Sequence, residues 1–353
     1  MKMQVTPEIL HGIDRYLFWH YSEWFGGGAC GKAIAQIPMV NMLDDHDLIN
    51  GFGTYPDDLM QAPIFNTIGS RGYFFYLLFQ QFINNDVDGI RNEAMETNQR
   101  TAFRSVIIGG PGAYIPYPTC NLLVYLGPKE YMLLLDCRAQ RKIDQVCAQD
   151  TYRKCLDAVR RLPPGVEHLI IQLGVPIAYP RMVMLERLLS SRFNPLVWIA
   201  KRVLPKFTNN FNGQVELLDD LNDHWCALQH KRERNWLIEQ TQSIAVTKRL
   251  RISFVSGDVH AGGCSVCAYD ALRTLDANLA VSGHGNTRPE KDPKYSLALI
   301  TSAIVNAPPP AAVITMVNRL ARHHHRSLAY QRTKEQMLPL FRYDFDGKKQ
   351  HNK

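Results

Sequence analysis

The chain has 353 residues and a formal charge of +7, with 46% hydrophobic and 21% charged residues. That length suits one large α/β domain, and that balance is ordinary globular chemistry. The basic surplus favours anionic partners such as phosphate esters or an acidic membrane face, but no dense Lys/Arg tract marks a nucleic-acid groove, so no specific nucleic acid is expected.

The eight cysteines are scattered, and a chain this long with a real core does not need a disulfide framework. The opening MKMQVTPEIL has no apolar run fit for a signal peptide, and Tyr73–Phe79 is too short to span a bilayer. The expected setting is intracellular, either soluble or bound peripherally to a membrane.

In chain order, Ile9, Leu10, Ile13, Tyr16, Leu17 and His20 recur at helical spacing over residues 7–24, and Gly26-Gly27-Gly28 ends that helix. Ile37 to Leu43 reads as a short strand running into Asp44-Asp45-His46-Asp47. Loop chemistry follows over residues 51–58, then an apolar, buried helix over 62–85 whose partner closes through 86–100. Leu122–Tyr125 and Tyr131–Leu135, joined through Gly127-Pro128, make a hairpin signal. The second strand ends in Asp136-Cys137-Arg138 with Arg141 close behind, which reads either as a site edge or as an internal Asp–Arg pair fixing the loop.

An amphipathic helix is expected over 151–162, stopped by Pro163-Pro164-Gly165, and a buried strand over 168–173. Residues 181–206 mix apolar and basic side chains. Leu196–Arg202 could lie on an anionic membrane surface, although packing on the body is favoured. The stretch FNGQVELLDDLNDHW carries Asp219, Asp220, Asp223 and His224, and a long helix over 232–246 leads into the strand Arg251–Val255. After that strand come Ser256-Gly257-Asp258-Val259-His260, then a looser segment with Cys264 and Cys267. Another strand is read at 297–302 before Pro308-Pro309-Pro310. No repeat or long linker divides residues 1–345, and residues 346–353 read as a disordered tail.

Two strand-end clusters carry the chemistry, Asp44-Asp45-His46-Asp47 and Asp258-Val259-His260. Ligands gather at the carboxyl ends of strands in open α/β sheets. Several carboxylates in one pocket repel one another unless cations stand between them, and a bound cation can clamp and polarise a phosphate ester. A nearby imidazole that is not a ligand can hand a proton to the leaving oxygen; His46 fits, with Asp47 placed to orient its ring. The bland reading of DDHD is a solvated acidic loop with capping duty. His260, Cys264 and Cys267 make at most a weak zinc pattern.

Taken together, NMLDDHDLINGFGTYPDD, IGSRGYFFYLLFQ, YLGPKEYMLLLDCRAQR, the 211–225 stretch with ERNWLIEQ, SGDVH and TSAIVNAPPP resemble the PhoD-like metallophosphatases, in particular the fungal group of PhoD-domain proteins. The resemblance covers most of residues 15–320. It implies an α/β/β/α sandwich, hydrolysis of phosphomonoesters or phosphodiesters, and iron and calcium as metals. It implies Asp45, Asp258 and His260 as metal ligands and His46 as the catalytic acid; the reading of the residues adds Asp44 as a ligand, Asp47 beside His46 in catalysis, and Asp136, Arg138 and Asp223 at the site edge. The family's earlier Asp and its Gly-Asp-x-x-Tyr motif do not occur before Asp44, so the sandwich is expected to lack its first strands and part of its metal shell. The alternative is a catalytically weak or inactive binding module of the same fold.

Overall fold

The computed structural model describes residues 4–84, 106–110, 112–117, 119–181, 223–269, 292–302, 311–323, 325–328 and 333–338. Its centre is a nine-stranded mixed sheet. In chain order the strands are β1 (Val106–Ile108), β2 (Asn121–Gly127), β3 (Glu130–Leu135), β4 (His168–Leu173), β5 (Arg251–Ser256), β6 (Gly263–Tyr269), β7 (Ser296–Ile300), β8 (His325–Leu328) and β9 (Thr333–Met337). Across the sheet they run β1-β2-β3-β4-β5-β7-β6-β9-β8. The middle strands β3, β4, β5 and β7 are parallel, and the flanking pairs are antiparallel. This is the mixed α/β sandwich class expected from the sequence.

Side-chain alternation explains how the sheet gains two apolar faces. On β2, Leu123 enters one core while its neighbour Leu122 packs against another. The first core is closed by two helices, α5 (Gln149–Arg160) and α6 (Lys231–Lys248). Tyr152, Cys155, Leu156 and Val159 line up on the buried side of α5, and Leu237, Ile238, Ile244 and Ala245 on that of α6. The second core is closed by α4 (Pro63–Gln80), through Phe65, Tyr73, Tyr76 and Leu77, together with Leu43, Phe52 and Tyr55. Outside α4 lies α1 (Pro7–Gly26), which buries Leu17 and Tyr21 against Phe74 and Phe75. The short helices α2 (Gly28–Gln36) and α3 (Asp57–Met60) and the later helix α7 (Ala311–Leu320) complete the set. Among the described residues no helix is long and apolar enough to cross a membrane.

The triple glycine ends α1, as expected, and Gly28, at φ +59°, turns the chain directly into α2. Two local readings change. Residues 37–43 form no strand. Pro38 lacks a donor, and the Asn41 carbonyl accepts from the Gln81 side chain, so this backbone is tied to the end of α4. The segment after His260 is the strand β6, not a loop; Cys264 and Cys267 stand three residues apart on it and so point to opposite faces, which prevents them from sharing a metal. The basic 196–202 segment, Asp219, Asp220 and the tail lie outside the described residues.

Candidate functional site

The carboxyl ends of the parallel strands hold the site. Leaving β3, the Asp136 carboxylate accepts the backbone N–H groups of Arg138 and Ala139, both at 2.9 Å, and the Tyr73 hydroxyl at 3.1 Å. Asp136 therefore caps the turn and is not the ion-pair partner of the arginine two residues on. Its burial raises its pKa, against those three hydrogen bonds. The turn aims the fully buried Arg138 side chain across the strand ends.

From the other side comes a single 3-10 turn, Asp45–Asp47, closed as a capping box. The Asp44 carboxylate accepts from Asp45 N–H, and the Asp47 carboxylate accepts from Asp44 N–H, both at 3.0 Å. Asp45 also accepts the N–H of Gly51 at 2.7 Å, which fixes its second oxygen. Beyond β5 the backbone enters the left-handed region twice, at Asp258 (φ 70°) and His260 (φ 55°). Such strain in non-glycine residues persists only where the surroundings impose it.

Arg138 is the hub. Its Nη2 lies 2.6 Å from Asp44, 3.4 Å from Asp45 and 3.3 Å from Asp258, measured to one oxygen of each. Its Nη1 lies 2.7 Å from Asp223. Arg141, also fully buried, reaches Asp223 at 3.0 Å and donates to the same residue's backbone carbonyl; His230 is 3.3 Å from the same nitrogen. Gly53, at φ +94°, packs so closely on the aliphatic base of Arg141 that a Cβ there would come within 2.4 Å of its Cβ and Cγ.

Formally, four carboxylates face two guanidiniums, so acid is in excess. Burial raises Asp44 and carries Asp258 well above the ordinary carboxylate range; neighbouring carboxylates add to this and Arg138 opposes it. At Asp223 burial pulls upward too, but Arg138 and Arg141 win and hold it below its ordinary value. Burial beside these guanidiniums lowers His224 to about 4, so it is neutral at pH 7; its ring packs edge-on against Tyr179 at 5.3 Å.

Oxygens of Asp44, Asp45 and Asp258 lie within 4.8 Å of one another, the spacing of a metal-binding group. Three hard carboxylate donors suit a cation such as calcium, magnesium, manganese or iron. The Asp44 and Asp258 side chains are 32% and 18% exposed, so the triad is reachable from solvent while Arg138 backs it from inside. The donor chemistry therefore fits a metal.

Of the residues singled out in the sequence, Asp44, Asp45, Asp258, Arg138 and Asp223 converge on this one centre. His260 is outside the triad. Asp47 does not orient His46: its carboxylate is taken by the Tyr21 hydroxyl at 2.6 Å and the Gln80 amide at 2.7 Å, and the exposed His46 is among the residues lining a cavity beside α1. The sequence reading put Arg141 in a cluster that could be a site edge, and gave no role to His224 or His230. Asp223-His224 was visible as an adjacent pair, but nothing in the spacing tied it to Arg138, 85 residues away.

Profile comparison matches residues 2–195 and 198–353 to the family described as PhoD related phosphatase. A curated relative, an uncharacterized protein of Saccharomyces cerevisiae, is 37% identical over 370 residues, covering 98% of this chain and 52% of its own length. The chain thus spans about half the length of that relative. No solved structure matches significantly. The paired motifs and a match along nearly the whole length lead to one assignment: the chain belongs to the PhoD-related phosphatase family.

Proposed function

We propose that the centre hydrolyses phosphate esters, mono- or diesters, with a hard cation held by Asp44, Asp45 and Asp258. The observation that supports this most is that two motifs more than two hundred residues apart in sequence deliver three carboxylates to one small, solvent-reachable volume. When bound there, the cation supplies Lewis acidity toward a phosphoryl oxygen. Iron and calcium, the ions implied by the family resemblance, both accept such oxygen donors.

The chain's own residues supply the rest. Arg138 keeps the acids from repelling one another and fixes their mutual spacing. Asp136, through its two backbone hydrogen bonds, holds Arg138 in place. His46 follows Asp45 directly in the chain and is exposed, and its imidazole is assigned the proton for the leaving oxygen. Asp47 sets the turn that presents it. His260, half-buried at the strained exit of β5, remains a candidate for completing the shell.

The test is metal content of the purified protein together with hydrolysis of 4-nitrophenyl phosphate and bis(4-nitrophenyl) phosphate. Asp45→Asn and Asp258→Asn are expected to lower turnover by roughly a hundredfold or more and to reduce bound metal. His46→Asn is expected to lower kcat while leaving metal content intact. Wild-type metal content and turnover in both Asp variants would sink the hydrolytic reading. A second reading, a binding module without turnover, draws on the fact that a guanidinium already neutralises the acids; metal binding without hydrolysis of either ester would favour it.

A further inference from the structure

Beside the turn that carries Asp45 lies a cavity of about 660 Å³, bounded by α1 on one side and by residues 46–50 on the other. That volume is in the range of small-molecule sites. Three rings on α1, Tyr16, His20 and Trp24, line it at four-residue spacing. Tyr16 and His20 are stacked at 5.8 Å with planes 17° apart, and His20 meets Trp24 at 6.2 Å. Although they border a cavity, Tyr16 and Trp24 remain 62% and 49% exposed. Their contacts within the fold leave these large apolar rings largely in water.

The opposite wall begins at His46. Among the described residues its imidazole has no hydrogen-bond partner, and Asn50 adds an amide to the same wall. Asp44 and Asp45 belong to the acid centre and the residues that follow them, 46–50, line the cavity, so centre and cavity are neighbours along the chain.

We propose that the cavity receives a planar aromatic ring carried by the phosphate ester, stacked on the Tyr16–His20 pair and bordered by Trp24, whose plane is tilted 56° to His20, with its polar edge toward His46 and Asn50. The stacked geometry favours a flat ring over an alkyl chain, because ring faces repay close parallel contact and two polar side chains suit heteroatoms at a ring edge. This deepens the hydrolytic reading and rests on it only for the identity of the ester.

Non-hydrolysable phosphonates separate the two claims. In equilibrium dialysis with the full chain, 1-naphthylmethylphosphonate is expected to bind roughly tenfold tighter than methylphosphonate. Tyr16→Ala and Trp24→Ala should bring that ratio close to one, whereas Phe18→Ser, an exposed residue outside the cavity lining, should keep it. Equal binding of the two phosphonates by wild type would overturn the proposal. So would octylphosphonate binding as tightly as the naphthyl compound, or a ratio untouched by the Tyr16 and Trp24 variants. A preserved aromatic preference without any turnover of 1-naphthyl phosphate would fault the hydrolytic reading and leave the cavity assignment standing. Turnover of that ester with no aromatic preference would do the reverse.

Discussion

Among the described residues three arginines are fully buried, and the surroundings of two of them, Arg138 and Arg234, differ in a useful way. Arg234, on α6, meets Glu335 of β9, and the same carboxylate is shared with Arg181 at 3.0 Å. There basic groups outnumber acidic ones, and the second donor edge of Arg234 is taken by the Ile177 carbonyl. The arrangement is satisfied and closed, and it ties a helix to a sheet edge. Around Arg138 the balance is inverted, with four carboxylates drawn from three separate segments and one side open to water. A structural ion pair is neutralised by its own members; a surplus of acid at an open strand end leaves work for a cation from outside.

That contrast can be broken experimentally, and the largest effect is expected at Arg138 itself. Arg138→Met leaves buried carboxylates unpaired and should cost about 3–5 kcal/mol in urea denaturation. Glu233→Ala comes next. Its carboxylate accepts the N–H groups of Val146 and Cys147 and the Tyr152 hydroxyl, so it anchors the loop behind Arg138 to α6. Its loss should cost about 2–3 kcal/mol by the same measurement. At the closed pair, Arg234→Met combined with Glu335→Leu removes both charges but leaves Arg181 without its carboxylate and the Ile177 carbonyl without its donor, so it should cost about 1–2 kcal/mol. A loss as large as that of Arg138→Met would mean the two arginines play equivalent parts.

The smallest effect concerns pH. His224 in the folded chain titrates near 4, below the ordinary imidazole value of about 6.5. Its contribution is fully present above the unfolded value, where the ring is neutral in both states. As pH falls from about 6.5 towards 4 the unfolded chain takes the proton first, and stability is lost. A His224→Gln variant should therefore lose less stability than wild type over that interval in pH-dependent thermal melts. Parallel wild-type and variant curves would remove His224 from the acid-sensitive part of the centre.

Much of the sheet was legible because buried strands write themselves locally. Leu169, Ile171 and Leu173 alternate inward on β4, and the hairpin of β2 and β3 is announced by its turn residues. Residues 37–43 misled because apolar content alone does not make a strand; a ladder partner is also needed, and α4 takes the backbone instead. At the site, the two acidic motifs could be read and their convergence expected. Arg138 could be read as a site-edge residue or as the partner of Asp136, but not as the common partner of four acids, since an arginine two residues after an aspartate most simply pairs with it, and here Asp136 prefers the backbone.

By itself the sequence determined the strands β2, β3, β4, β5 and β7, the amphipathic helices, the two acidic motifs and, through their joint pattern, the family. These follow from hydrophobic period and residue type, which are local properties of the chain. Tertiary structure alone decided which cation balances those acids and which face of the Asp45–Asp47 turn looks toward the ring-lined cavity. Both depend on ångström-scale distances between segments as far apart as Arg138 and Asp258, and no local pattern encodes such a distance.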